Sequence, residues 1–129
     1  MLGLTVFVLV WLRLFARSLG VAPKIIPAPP QWQSLMATLM HVALYIFMIG
    51  MPILGWMVTS AAGNQVMFYG IDLPLLMSEN KDLAKQLQGW HVLGGTIGYW
   101  LIGLHALAGI AHHYYYRDNT LLRMMPKRG

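Results

Sequence analysis

Two histidines, His91 and His105, stand in a stretch from Trp90 to Ala111 that carries no formal charge while the imidazoles are neutral. They are 14 residues apart, which on a helix of about 100° per residue is within roughly 40° of four full turns and about 21 Å along the axis. The pair therefore shares one face at two depths. Neutral imidazole is the usual axial ligand of b-type haem, and ligation offsets the cost of burying a polar ring. Two haems stacked across a membrane need such an arrangement. Gly95, Gly98, Ile102 and Gly109 fall near the same meridian, and missing side chains there leave room for a flat macrocycle. The alternative is that the glycines form a small-residue packing seam and the histidines are interhelical hydrogen-bond donors. With no cysteine in the chain, thiolate metal sites and Cys-held iron–sulfur clusters are excluded.

The remaining basic and imidazole groups each admit more than one reading. His112 and His113 follow His105 by seven and eight residues; either could bond a haem propionate, donate to a quinone carbonyl, or sit at the membrane interface. His41 falls near the start of an apolar run, where a cap or headgroup contact is expected rather than ligation. Arg13 and Arg17, one turn apart, could pair with propionates by charge-assisted hydrogen bonds, or snorkel as topology charges. The ten methionines read as packing and lipid-facing residues.

The elements that must position these groups follow from composition. At 57% hydrophobic and 10% charged residues, a chain of 129 residues would leave large apolar areas wet in solution, so the bilayer is the expected solvent. That length allows one all-α domain of three transmembrane helices. The formal charge of +5 does not indicate nucleic acid, because the basic residues cluster at the ends of apolar runs rather than over one face.

The patterning predicts helices over about 1–17, 35–60 and 90–115, joined by an inner connector at 18–34 and an outer loop at 61–88, with a tail at 116–129. Pro23, Pro27, Pro29 and Pro30 make the connector extended. A short helix is expected near 78–88 within the loop, which holds Asp72, Glu79 and Asp82. Arg13, Arg17 and Lys24 at the connector, and Arg117, Arg123, Lys127 and Arg128 in the tail, put connector and tail in the cytoplasm by the positive-inside rule. The first apolar run, Leu2 to Leu12, reads as the second half of a spanning helix.

Several of these segments together resemble bacterial cytochrome b561. They are Gly89-Trp90-His91, Gly98-Tyr99, Ile102-Gly103-Leu104-His105, Ala111-His112-His113-Tyr114 and the run from Asp118 to Pro126. Pro23 to Pro30 and Tyr45 to Trp56 resemble the middle of that family. The resemblance implies a four-helix bundle in the bacterial inner membrane with two b-type haems, each held by two histidines. It also implies electron transfer between an outer-side donor, superoxide in some members, and ubiquinone. His91 and His105 match the family's ligands on its last helix, and His113 matches a position at the quinone end. The family's other two ligands lie on its first helix and at the start of its second, and neither has a counterpart here. Three of four helices are thus expected, with a missing N-terminal helix or another subunit completing the ligation. Two other readings stay open: a haem-bearing membrane anchor for a separate dehydrogenase or hydrogenase, and a structural or transport subunit without haem.

Overall fold

The computed structural model describes residues 1–21 and 23–124. Lys127 and Arg128, counted above among the tail charges, lie outside the described residues, as do Met125 and Pro126. Three helices are long and apolar enough to cross a membrane: α1 (Leu2–Leu19), α2 (Gln31–Ala61) and α3 (Lys81–Tyr114). The molecule is mostly helical, as an all-α transmembrane bundle requires.

Each boundary has a local cause. α1 stops at Gly20, which is extended, and Arg17 in its last turn faces the negative end of the helix dipole. α2 begins directly after Pro30, whose own extended backbone starts the helix without needing an N–H. It therefore starts four residues earlier than the hydropathy suggested, because Gln31, Gln33 and Ser34 are polar but helix-compatible. At 31 residues, α2 is about 46 Å long and overshoots a hydrocarbon core of about 30 Å.

The largest departure is at the start of α3. The short helix expected near 78–88 and the span expected from residue 90 form one continuous helix of 34 residues. The Asn80 side chain caps it by accepting from the Leu83 N–H at 3.0 Å, and Asp82 lies in its first turn. Gly89 weakens the junction by only about 1 kcal/mol, and packing of Ala84 and Leu87 against Ala61, Leu54 and Met57 outweighs that cost. This small apolar core stands at the loop end of the bundle.

The loop proper contains a hairpin that hydropathy did not foresee. β1 (Val66–Phe68) and β2 (Ile71–Leu73) pair antiparallel, Val66 opposite Leu73 and Phe68 opposite Ile71. The turn is Tyr69-Gly70, with φ of 49° and 85°. Both central residues are left-handed, as a two-residue hairpin favours, but tyrosine is an unusual occupant and hides the signal. The hairpin is held by Trp56 Nε1 donating to the Pro74 carbonyl at 3.0 Å, by Gln65 Nε2 donating to that of Leu73 at 2.7 Å, and by the Leu76 N–H donating to the buried Ser60 hydroxyl at 3.2 Å.

α2 and α3 interlock along a seam. Gly98 is buried under the Phe47 ring, which fills the space a Cβ would need, and a Cβ on Gly94 would stand 2.5 Å from the Met51 sulfur. Gly98→Ala should therefore cost about 1–3 kcal/mol, measured by reversible unfolding in detergent, and pairing it with Phe47→Leu should restore most of the loss. A Gly98→Ala variant as stable as the parent would contradict the interlock.

Candidate functional site

At the loop end, His91 turns from α3 toward α2. Its Nε2 lies 3.1 Å from where a Cβ on Gly55 would stand, so the absence of that side chain lets the ring approach. The ring lines a cavity of about 510 Å³ bounded by Met1, by Gly3 and Leu4 of α1, by Phe47, Met51 and Pro52 of α2, and by Gln88. That volume lies within the range of small-molecule and cofactor sites. An imidazole nitrogen reaching into a mostly apolar, methionine-rich space fits a ligand to a b-type haem. Among the described residues, no second imidazole lines this cavity.

At the connector end, His105 meets His41 across the α2–α3 seam, with ring centroids 5.5 Å apart and planes at 69°. His41 is therefore not the terminal cap or headgroup contact the sequence suggested. Because α2 begins at Gln31, His41 stands about 15 Å along the helix, facing a second ring. Arg13 and Arg17 of α1 lie within electrostatic reach of His41, so this end is polar and cationic where the His91 cavity is apolar. A cationic surrounding suits a group bearing carboxylates.

The glycines separate into two sets. A Cβ on Gly95 would meet nothing within 4 Å. Gly98, expected to leave room for a macrocycle, is instead occupied by Phe47 and belongs to the packing seam. Gly109 is approached from the other side, since a Cβ there would stand 3.7 Å from Leu121 Cδ2.

That contact belongs to a feature sequence reasoning missed, the return of the tail. After Tyr114 the chain doubles back, with Arg117 at φ 51°. The Asp118 N–H then donates to the His112 carbonyl at 3.1 Å, while Asp118 Oδ2 meets His112 Nδ1 at 2.5 Å. The Thr120 N–H donates to Asp118 Oδ1 at 2.9 Å. Asn119 then grips the connector: its Oδ1 accepts from the Ile26 N–H at 3.0 Å, and its own N–H donates to the Ile26 carbonyl at 3.3 Å. His113, singled out from the sequence, has a buried Nδ1 without a partner among the described residues. The available signal was an aspartate six residues after a histidine and just past a helix end, where only a tight return brings the two together.

Burial pushes the Asp118 carboxyl up, but hydrogen bonds from Thr120 and His112 outweigh it and hold the group below the usual aspartate range. A depressed folded value contributes stability above the unfolded value and loses it as pH falls through the lowered one. The tail should thus stay clipped from neutral pH down to about 4. Amide exchange at Asn119 and Thr120 checks this; loss of their protection between about pH 8 and pH 5 would contradict it.

The Prokaryotic cytochrome b561 family model matches residues 1–127. The chain is 39% identical over 126 residues to cytochrome b561 homolog 1 of Escherichia coli K12, covering 98% of this chain and 72% of that protein. It is 36% identical over 126 residues to a probable superoxide oxidase CybB of Yersinia pestis, with the same 98% and 72% coverage. To cytochrome b561 homolog 2 of Escherichia coli K12 it is 26% identical over 120 residues, 90% of this chain and 62% of that one.

Proposed function

The chain belongs to the prokaryotic cytochrome b561 family, membrane carriers of electrons on b-type haem, and from that premise we propose that His91 and His105 are axial ligands to two separate haems. The observation that carries this reading is the placement of the two imidazoles on one helix at opposite ends of the α2–α3 seam, one in the apolar cavity and one in the cationic end. Haem, when bound, would supply one-electron transfer, and His91 and His105 are the residues that would hold it.

The residues of this chain have distinct tasks. His91 and His105 hold iron. Gly55 lets His91 approach, and the methionines and Phe47 keep water from its cavity. Arg13 and Arg17 neutralise propionates at the His105 end. Opposite His105 this chain already presents the His41 ring, whereas among the described residues no second imidazole lines the His91 cavity, and a partner ligand there would come from a further helix or another subunit. In the proposed orientation the connector and tail face the bacterial cytoplasm, following the basic residues at that end. Electrons enter from an outer-side donor at the His91 end and leave to ubiquinone near His105. The name of the Yersinia relative makes superoxide a candidate donor.

Purified full-length protein should show b-type absorbance in its reduced-minus-oxidised spectrum. His91→Ala and His105→Ala should each remove about one haem's share of it. Full absorbance in the double variant would contradict the ligand assignment, and no absorbance in the parent would favour a membrane subunit without haem.

A further inference from the structure

A guanidinium nitrogen buried without an acceptor has given up its hydration uncompensated, so it marks a place that an anion should fill. Arg123 is in that position. Its Nε is buried and has no hydrogen-bond partner among the described residues. Three of the chain's four side-chain carboxylates, Asp72, Glu79 and Asp82, lie in the loop or the first turn of α3, at the other end of the bundle. Asp118 is the one at this end, and its two oxygens are already taken by His112 and the Thr120 N–H. The ion pairs among the described residues, Lys81 with Glu79 and His112 with Asp118, leave Arg123 without a carboxylate.

The return of the tail decides where this cation stands. Asp118 is bound at His112, and three residues later Leu121 Cδ2 lies 3.7 Å from the Cβ position of Gly109. Gly109 follows His105 by four residues, so the two are about 40° and about 6 Å apart on one face of α3. The segment therefore runs back from the level of His112 toward that of His105. Arg123 is two residues beyond Leu121, in a turn closed by its own N–H on the Asn119 carbonyl at 3.0 Å, and Asn119 is tied to Ile26. Arg13 and Arg17 of α1 are within electrostatic reach of His41, the ring that faces His105. Guanidinium groups from two separate segments thus serve the same end of the α2–α3 seam.

We propose that Arg123 is a positioning residue for the haem at His105, its guanidinium pairing with a propionate of that group. This rests on the haem reading above. A planar, always charged guanidinium meets a carboxylate with two parallel N–H donors. A cation held in a surrounding of low dielectric also favours the iron state with one positive charge fewer. Arg123 therefore raises the electron affinity of the His105 haem and leaves that of the distant His91 haem unchanged. The Asp118 and Asn119 bonds that hold the return hold this charge in place. A lipid-headgroup phosphate is the other anion of matching chemistry, but the burial of Nε favours a carboxylate held inside the bundle.

The test is a redox titration of full-length haem-loaded protein, with the b-type absorbance followed against potential. Arg123→Gln should lower the electron affinity of one haem about tenfold, which for a one-electron couple is about 59 mV toward lower potential. The other haem should stay within about twofold. In His91→Ala protein, which keeps the His105 haem, the same substitution should give the same shift, and in His105→Ala protein none. Potentials unchanged by Arg123→Gln overturn the proposal, as does an equal shift of both haems. The shift should be the same in phospholipid-free detergent, in phosphatidylcholine nanodiscs and in nanodiscs with added phosphatidylglycerol. A shift seen only with phosphatidylglycerol assigns the arginine to a lipid phosphate and overturns the proposal too. Should Arg123→Gln fail to load haem, Arg123→Lys decides: it keeps the charge but loses the fork, and should move the same haem in the same direction by about twofold to threefold in affinity, no shift again overturning the proposal. Parent protein without b-type absorbance overturns the haem reading itself, whereas two intact haems indifferent to Arg123 overturn this proposal alone.

Discussion

A polar ring carried into hydrocarbon must be satisfied there, because an unpartnered polar group in that medium costs several kcal/mol. α3 carries two such rings, and most of the bundle is arranged around that constraint. At one end Gly55 has no side chain, so His91 can turn inward over a cavity. At the other His105 faces His41. Between them, Phe47 locked over Gly98 fixes the rotation of α3 against α2 and so decides which way both histidines point. The seam thus fixes where both rings stand.

The two ends differ in ways that suit different tasks. The His91 end is apolar, roofed by the hairpin and its hydrogen bonds to α2. The His105 end gathers Arg13, Arg17 and His41, and below it the returning tail binds His112 and the connector.

Much of this was legible in the chain. Hydropathy located three spans, and helical arithmetic put His91 and His105 on one face, because both depend on local periodicity. What was not legible depended on long-range pairing. Gly98 reads like Gly95 in the sequence, and only the position of Phe47, some fifty residues earlier, separates a seam glycine from an open one. His41 looked terminal because polar residues after Pro30 obscured where α2 begins. The hairpin was hidden by a tyrosine in a left-handed turn position, and the Asp118 clip by a chain reversal that no periodicity marks. His112 and His113 were equivalent until that reversal gave only one of them a carboxylate.

Iron-edge anomalous diffraction from crystals of the full-length holoprotein tests the central claim most directly. The account predicts one iron peak within coordination distance of a ring nitrogen of His91 and a second at His105. Irons placed away from both rings, with the α3 histidines bonded only to neighbouring helices, would contradict it.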